Sequence, residues 1–448
     1  MLDDLSIFDV LLPPIYIFIA WFVTNYIQKK NLYSNPEYKY FKAALLAKIG
    51  GAMALGLVYF FYYKGGDTIN YFESSRAYIN LFFENKSDFI HGWFGNIKDN
   101  SDYSFFNDNT GYPVYHHKDV NSFFVVRLLI PIMAVSLNSY FACAVVTGIL
   151  SFTGVWKLYK TFIEEFPSLK KELAIAILFI PSCIFWGSGI MKDSFTLSAV
   201  GWFTYSFYYF FIKKKRKAIY FIQIVIAAFI ILSIKPYIFF ALLPGSILWL
   251  SNQQIKKIEN ATLRFMVAPF FLFLGGFIAY LSLINMGDSL GIYKLDTVLD
   301  RAVIVQKDMK ADYYGGNTYD IGDFDASTAD IATKAPMAIF SGIFRPGLWD
   351  VKNLVMFISS LENTYLLVLT VFLLIRLKVF GFFLLVRKHP MLLFAMLFSL
   401  FFAFSVGLTV ANFGSLVRLR IPELPFFVSG LFILRHLYEK QSRTKVRF

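Results

Sequence analysis

Apolar stretches of about 20 residues, the length that carries a helix through a ~30 Å hydrocarbon core, recur along nearly the whole chain. They predict spanning helices near 10–27, 43–63, 139–157, 172–190, 195–212, 218–234, 236–251, 265–285, 353–375, 390–412 and 421–436. About eleven spans make an all-α, polytopic integral membrane protein, with 1–448 expected to form a single transmembrane domain. Two connections are long, 64–120 and 286–352, and such connections in compact proteins are usually functional or disordered. The first carries Ile69, Phe72, Tyr78, Ile79 and Phe82 at near-helical spacing, which predicts an amphipathic helix lying on the membrane surface. Its middle, 98–118, is polar and aromatic without a period. The second has an amphipathic stretch over 292–309, with Leu295, Val298, Leu299, Ala302 and Val303 on one face. A soft region follows around Gly315, Gly316 and 320–325.

Composition agrees with the pattern. Of 448 residues, 57% are hydrophobic and 16% charged, too few charges to cover a soluble surface of this size. The opening segment carries Asp3, Asp4 and Asp9 where a cleavable leader would be basic, so it is expected to be retained as a span. Cys143 and Cys183 both lie in apolar stretches, which argues against a disulfide framework or a zinc site.

The net charge of +13 changes the picture only through its distribution. Lys29, Lys30, Lys39, the run Lys213, Lys214, Lys215, Arg216 and Lys217, then Lys256, Lys257, Arg387, Lys388 and the C-terminal tail fall on one side of the predicted spans. That side is cytoplasmic by the positive-inside rule, which sets the N-terminus outside and the C-terminus inside. The excess is a topology signal, and nucleic-acid binding is not expected. The segment 121–137 is long enough to span, but counting it would move Lys213–217 outside. It also contains Arg127 and Pro131, so it is expected to be an interfacial or re-entrant helix on the outer side. Keeping it as a span would instead demote the first segment, which carries Pro13 and Pro14. Within spans, Gly50-Gly51 and Gly275-Gly276 are expected to be helix-packing sites; no glycine loop for a nucleotide occurs, and no internal repeat or low-complexity tract is present.

Charged residues at outer helix ends or within spans are the candidates for chemistry, because they are costly there. Asp67, where the second span ends, is either the cap of a following helix or a general base at the membrane surface. Lys192 and Asp193 occupy a tight glycine-rich turn beyond Trp186. Lys235 stands at another outer turn, where snorkelling alone would account for it. Arg345 precedes the ninth span, and Glu362 lies two to three turns inside it, where a carboxylate needs a basic partner such as Arg345, Arg418 or Arg420. Arg418 and Arg420 sit at the outer end of the last span. Lys192, Lys235, Arg345, Arg418 and Arg420 thus share one leaflet and suit a phosphate or diphosphate, Arg through its forked donors. The competing arrangement pairs them with Asp193, Glu362 and Glu423.

The opening of the first long loop, Gly66-Asp67-Thr68-Ile69-Asn70-Tyr71, resembles the acidic first-loop motif of the GT-C superfamily of membrane glycosyltransferases. The Pro181, Trp186, Lys192-Asp193 segment and the Arg418, Arg420, Pro422, Pro425 end are similar to recurring features of that group and of related polysaccharide polymerases. The resemblance implies a GT-C-like architecture in the bacterial inner membrane and transfer of a sugar from a polyprenyl-phosphate-linked donor to an acceptor at the outer face. It implies Asp67 as the base, with Glu73 in reserve, and basic residues for the donor phosphate. An O-antigen-type polysaccharide polymerase is the near alternative. A transporter or flippase of an anionic lipid-linked glycan and a non-enzymatic subunit of an envelope complex are the others. The bilayer and the lipid-linked donor are the expected partners; no nucleotide cofactor is expected, and a divalent cation stays open.

Overall fold

The computed structural model describes residues 5–94, 104–115, 119–255, 298–309, 317–322, 324–325, 327–352 and 354–445. Among the described residues every regular element is a helix. Among the described residues, five helical stretches are long and apolar enough to cross a membrane: Ile7–Leu32, Pro36–Tyr63, Tyr140–Glu165, Met356–Lys388 and Pro390–Thr409. The chain is a helical membrane protein on that ground. The expected span at 265–285, with Gly275 and Gly276, lies outside the described residues, as do Lys256, Lys257, Leu295, Gly315 and Gly316. The chain divides into two compact units. One comprises Met1–Leu158, Cys183–Tyr205 and Gln223–Lys235; the other comprises Tyr159–Ser182, Ser206–Ile222 and Pro236–Phe448.

The first unit opens with α1 (Ile7–Leu32), which runs unbroken through Pro13 and Pro14. Its start is fixed by a reciprocal cap between Ser6 and Asp9, and Asp9 also accepts the main-chain N–H of Tyr140 at 2.7 Å. Helix α2 (Phe41–Leu57) continues through a π-helical turn, Val58–Tyr63. It is stopped by Lys64, Gly65 and Gly66, with φ of 53°, 155° and 95°. Only glycine adopts such angles without a steric cost, so the paired glycines set the reversal that launches α3 (Asp67–Glu84). The predicted amphipathic helix is present, but its apolar face does not lie open to a membrane. Ile69, Phe72, Tyr78 and Ile79 are buried and only Phe82 is exposed. After α4 (Lys86–Phe94) comes α5 (Val120–Val135), and α3 packs on it: the Tyr78 and Phe123 rings lie 5.4 Å apart, and Ser75 Oγ donates to the Val126 carbonyl at 3.2 Å.

Two glycine contacts draw further helices of this unit together. On α6 (Tyr140–Glu165), a Cβ at Gly154 would strike the Ser198 main chain, and one at Gly201 on the later helix would strike that of Gly154. On α2, Gly51 lies against the main chain of Ile184, whereas Gly50 faces open space; of that predicted pair only one is a packing site.

The predicted span 172–190 is divided into α7 (Lys170–Leu178) and α8 (Pro181–Phe185). Pro181 has no N–H to continue the ladder and biases the residue before it away from helical angles, so the break falls just ahead of it. The remaining helices are α9 (Lys192–Phe207), α10 (Ala218–Ile234), α11 (Pro236–Ile255), α12 (Val298–Met309), α13 (Thr328–Phe344), α14 (Leu354–Lys388), α15 (Pro390–Thr409), α16 (Phe413–Leu419) and α17 (Leu424–Lys445). Helix α14 is interrupted at Lys378, whose φ of 58° leaves the helical region.

The second unit is organised around α15, which packs against α11, α13 and α17. Gly342 and Gly407 let α13 and α15 approach to main-chain contact, since a Cβ at either would meet the Ala403 or Ala338 backbone. Rings of Trp249, Phe394, Phe398 and Phe426 fill the interior, with Phe398 and Phe426 edge to face at 4.9 Å.

Candidate functional site

The candidate residues divide between the units. Asp67, Lys192, Asp193 and Lys235 belong to the first; Arg345, Glu362, Arg418 and Arg420 belong to the second.

In the first unit the glycine reversal places Asp67 at the first position of α3, where a carboxylate is favoured by the helix dipole. Gly66, not Asp67, occupies the cap position. The Asp67 carboxylate accepts the hydroxyl of Tyr115 at 2.8 Å. Tyr115 is itself oriented by its main-chain N–H donating to Ser74 Oγ at 2.9 Å and by its ring lying 4.7 Å from that of Tyr71. Partial burial, and then the adjacent negative charge of Asp67, push the Tyr115 hydroxyl well above the usual tyrosine range. It therefore stays protonated and remains a donor to the carboxylate at any ordinary pH.

The charge of Asp119 also acts on Tyr115. Asp119 caps α5 by accepting the Ser122 N–H at 3.0 Å, and it stands 4.0 Å from the Lys192 ammonium. One polar cluster therefore runs from Asp67 through Tyr115 and Asp119 to Lys192. Next to Lys192, Asp193 is fully enclosed and ion-paired with Lys235, which is 4% exposed. Snorkelling does not account for Lys235: its ammonium turns inward to a carboxylate rather than outward to headgroups. Removing either partner would strand a buried charge. Asn121 closes the cluster by donating to the Ser233 carbonyl at 2.8 Å, tying α5 to α10.

A buried lysine supports this cluster from within the bundle. Lys48, in the middle of the second candidate span, is 2% exposed and donates to the carbonyls of Cys183 at 3.0 Å and Gly187 at 2.6 Å. Ser151 Oγ adds a donor to Gly187 at 2.7 Å. These bonds satisfy main-chain oxygens released where the helix is broken, and they fix the segment that ends in Lys192 and Asp193.

An apolar groove of ≈700 Å³ lies between α5, α6, α9 and α10. Phe195 and Ile230 line it, each one turn from Lys192 and Ser233 respectively, and its exposed walls include Val135, Leu150 and Ile226.

In the second unit the arginines are engaged by protein. Arg420 is 0% exposed; it donates to the Ile343 and Arg345 carbonyls, each at 3.0 Å, and to the Asn363 side chain. Asn363 in turn donates to the Pro346 carbonyl at 2.7 Å, so Arg420 and Asn363 together hold the loop after α13 against α14. Glu423, also fully enclosed, lies within the field of Arg420. Arg345 forms a two-pronged pair with Asp350 at 3.1 and 2.7 Å and lies over the rings of Tyr319 and Phe413 at 5.0 and 5.3 Å. Tyr319 reaches that position because residues 317–319 pair main chain to main chain with 411–413. Burial raises the Tyr319 hydroxyl above its ordinary range, against the pull of Arg345 and Arg420. Glu362 accepts the Ser182 N–H at 3.1 Å; a main-chain donor takes the place of the expected arginine. Arg418 is half-buried on the last turn of α16.

Sequence reasoning did not single out Tyr115, Asp119 or Lys48. Tyr115 and Asp119 belong to the aperiodic polar stretch and its edge, where no pattern marks a side chain. Lys48 did carry a signal, a lone charge in the middle of an apolar span. Among the described residues no group of His, Cys, Asp or Glu is arranged to hold a metal ion. The chain matches no family model, no curated protein and no solved structure.

Proposed function

We propose that the chain is a GT-C-like glycosyltransferase of a bacterial inner membrane, moving a sugar from a polyprenyl-phosphate-linked donor to an acceptor at the outer face. The observation that carries this reading is the cluster of Asp67, Tyr115, Asp119 and Lys192 standing one helical turn from an apolar groove in the same unit. The groove suits a hydrocarbon chain, and the polar cluster suits the head of the same lipid. Lys235 is locked to Asp193, and Lys192, beside Asp119, is the cation of this cluster that a donor phosphate would meet. The acceptor oxygen attacks the anomeric carbon as its proton passes to Asp67. The bond from that carbon to the phosphate oxygen breaks, and polyprenyl phosphate leaves as an anion, so no acid need protonate it. Tyr115 holds the carboxylate in place throughout. The basic residues gathered on one side of the spans support an outside N-terminus and a cytoplasmic C-terminus, with this cluster outside. Arg345 and Arg420, engaged with Asp350 and with main-chain oxygens, act here as structural residues of the second unit.

The test is Asp67→Asn in membranes from producing cells, read as polyprenyl phosphate released from the lipid-linked sugar pool. Release should fall by at least about 100-fold while labelled donor still binds, since only the proton acceptor is removed. Undiminished release would overturn the reading.

A further inference from the structure

A second cavity of ≈390 Å³ in the first unit is of the opposite character to the groove. Glu73, Arg76 and Asn80 line it from α3, facing Asp108, Asn109 and Tyr112 on the turn that follows Asn107. That turn is built rigidly. Asn107 Oδ1 accepts the N–H groups of Asn109 at 2.8 Å and Thr110 at 3.1 Å, and Thr110 Oγ1 accepts the Asn107 N–H at 2.8 Å. Gly111, with φ of 74°, lets the chain leave the turn. Asn80 Nδ2 donates to the Thr110 carbonyl at 3.1 Å, and Asn107 Nδ2 donates to Glu84 at 2.7 Å, so the turn is fastened to α3 at two points.

The lining selects a ligand class. Arg76 is paired with Glu73, and Asp108 adds a second carboxylate to the described lining of the cavity. A phosphate or another polyanion would be repelled, which separates this cavity from the donor site. What the wall offers is planar carboxylate, guanidinium and amide groups, able to accept and donate side by side, as neighbouring ring hydroxyls require. Beside them stands the Tyr112 ring, 52% exposed, a flat apolar surface for the C–H face of a sugar. The volume falls at the lower end of small-ligand sites, enough for one or two pyranose rings. Glu73 follows Asp67 by six residues on α3, ~9 Å along the axis, which is the reach of about two linked sugars.

We infer that this cavity binds a neutral glycan, holding the acceptor so that its next sugar extends toward Asp67. The inference rests on the transferase reading for its role but not for its binding chemistry. It is tested on the detergent-solubilised full chain, with saturation-transfer NMR and calorimetry against neutral disaccharides built from glucose, galactose, mannose and N-acetylglucosamine. At least one should bind, and Tyr112→Ala and Asn109→Ala should each weaken it by about tenfold or more, with thermal melting unchanged. Asp67→Asn should bind the same sugar as tightly as the parent. Absence of binding by every saccharide, or binding by both cavity variants as tight as by the parent, would overturn the site. Transfer that persists in Tyr112→Ala with an unchanged acceptor KM would also sink it, while leaving the transferase reading intact. Saccharide binding that depends on Tyr112, in a chain that releases no polyprenyl phosphate, would uphold the site and defeat that reading.

Discussion

Tyr115 and Asp67 form the contact on which the proposed transfer depends, and it joins a helix start to a loop 48 residues away. A hydroxyl aimed at a carboxylate favours its ionised form and restricts its rotation. Removing that hydroxyl should leave the carboxylate in place but harder to ionise. Tyr115→Phe should therefore move the acid limb of the pH–rate profile for polyprenyl phosphate release to higher pH, with the plateau lowered less than in Asp67→Asn. A merely structural role for the hydroxyl would lower the rate equally at every pH, and that result would refute the assignment. The tyrosine's own titration lies above its ordinary range, so its contribution to stability is constant below about pH 10 and is lost only as pH rises beyond. The same scale shows what residue identity alone conveys. Asp67 was legible because glycines and a polar break announce the end of a span. The roles of Lys235 and Arg420 were not, because a cation at a helix end looks alike whether it faces a ligand, a buried carboxylate or main-chain oxygens. Only packing separates the three, and it enclosed both residues.

At the scale of elements, periodicity identified the amphipathic α3 but not what its apolar face would meet. A face suited to a membrane surface is equally suited to a neighbouring helix, and α5 took it. Helix breaks were partly legible. Pro181 and the Lys64-Gly65-Gly66 reversal follow from local backbone rules, whereas the interruption at Lys378 has no glycine or proline beside it to mark it. Glycines inside spans were legible as a class but not one by one. Gly50 and Gly154 make a controlled pair, since the first faces open space and the second touches the Ser198 main chain. Leucine at Gly154 would have to push two helices apart, an overpacking that costs 1–3 kcal/mol or somewhat more, of the order seen in close-packed cores. Leucine at Gly50 should cost nothing and gain slightly in helix propensity. Thermal melting in detergent should thus show Gly154→Leu lowered by several degrees and Gly50→Leu unchanged. Equal midpoints for the two would mean that α6 and Ser198 do not meet as described.

For the whole molecule, charge and length make separate statements about topology, and α5 is where they meet. Its 16 residues rise ~24 Å, short of a ~30 Å core, and it is buried along Phe123, Val125, Val126, Leu129 and Met133. If α5 returned to the side it left, Lys213–217 would fall on the cytoplasmic side with Lys29, Lys30 and Lys39, in keeping with the positive-inside rule. If it crossed, either that run would lie outside or the first segment would not span, although α1 is a continuous 26-residue helix. Its ends can be interrogated directly, because Val120 is 64% and Leu137 59% exposed, while the native thiols Cys143 and Cys183 are buried. Cysteine at Val120 and cysteine at Leu137 should both react with a membrane-impermeant maleimide in intact spheroplasts. Cysteine at Lys440, near the end of α17, should react only after permeabilisation. Labelling of Val120 and Leu137 from opposite sides would establish α5 as a span, invert every later segment, put Asp67 and the run at Lys213–217 on one side of the membrane, and set Lys192 on the other, against the shared cluster.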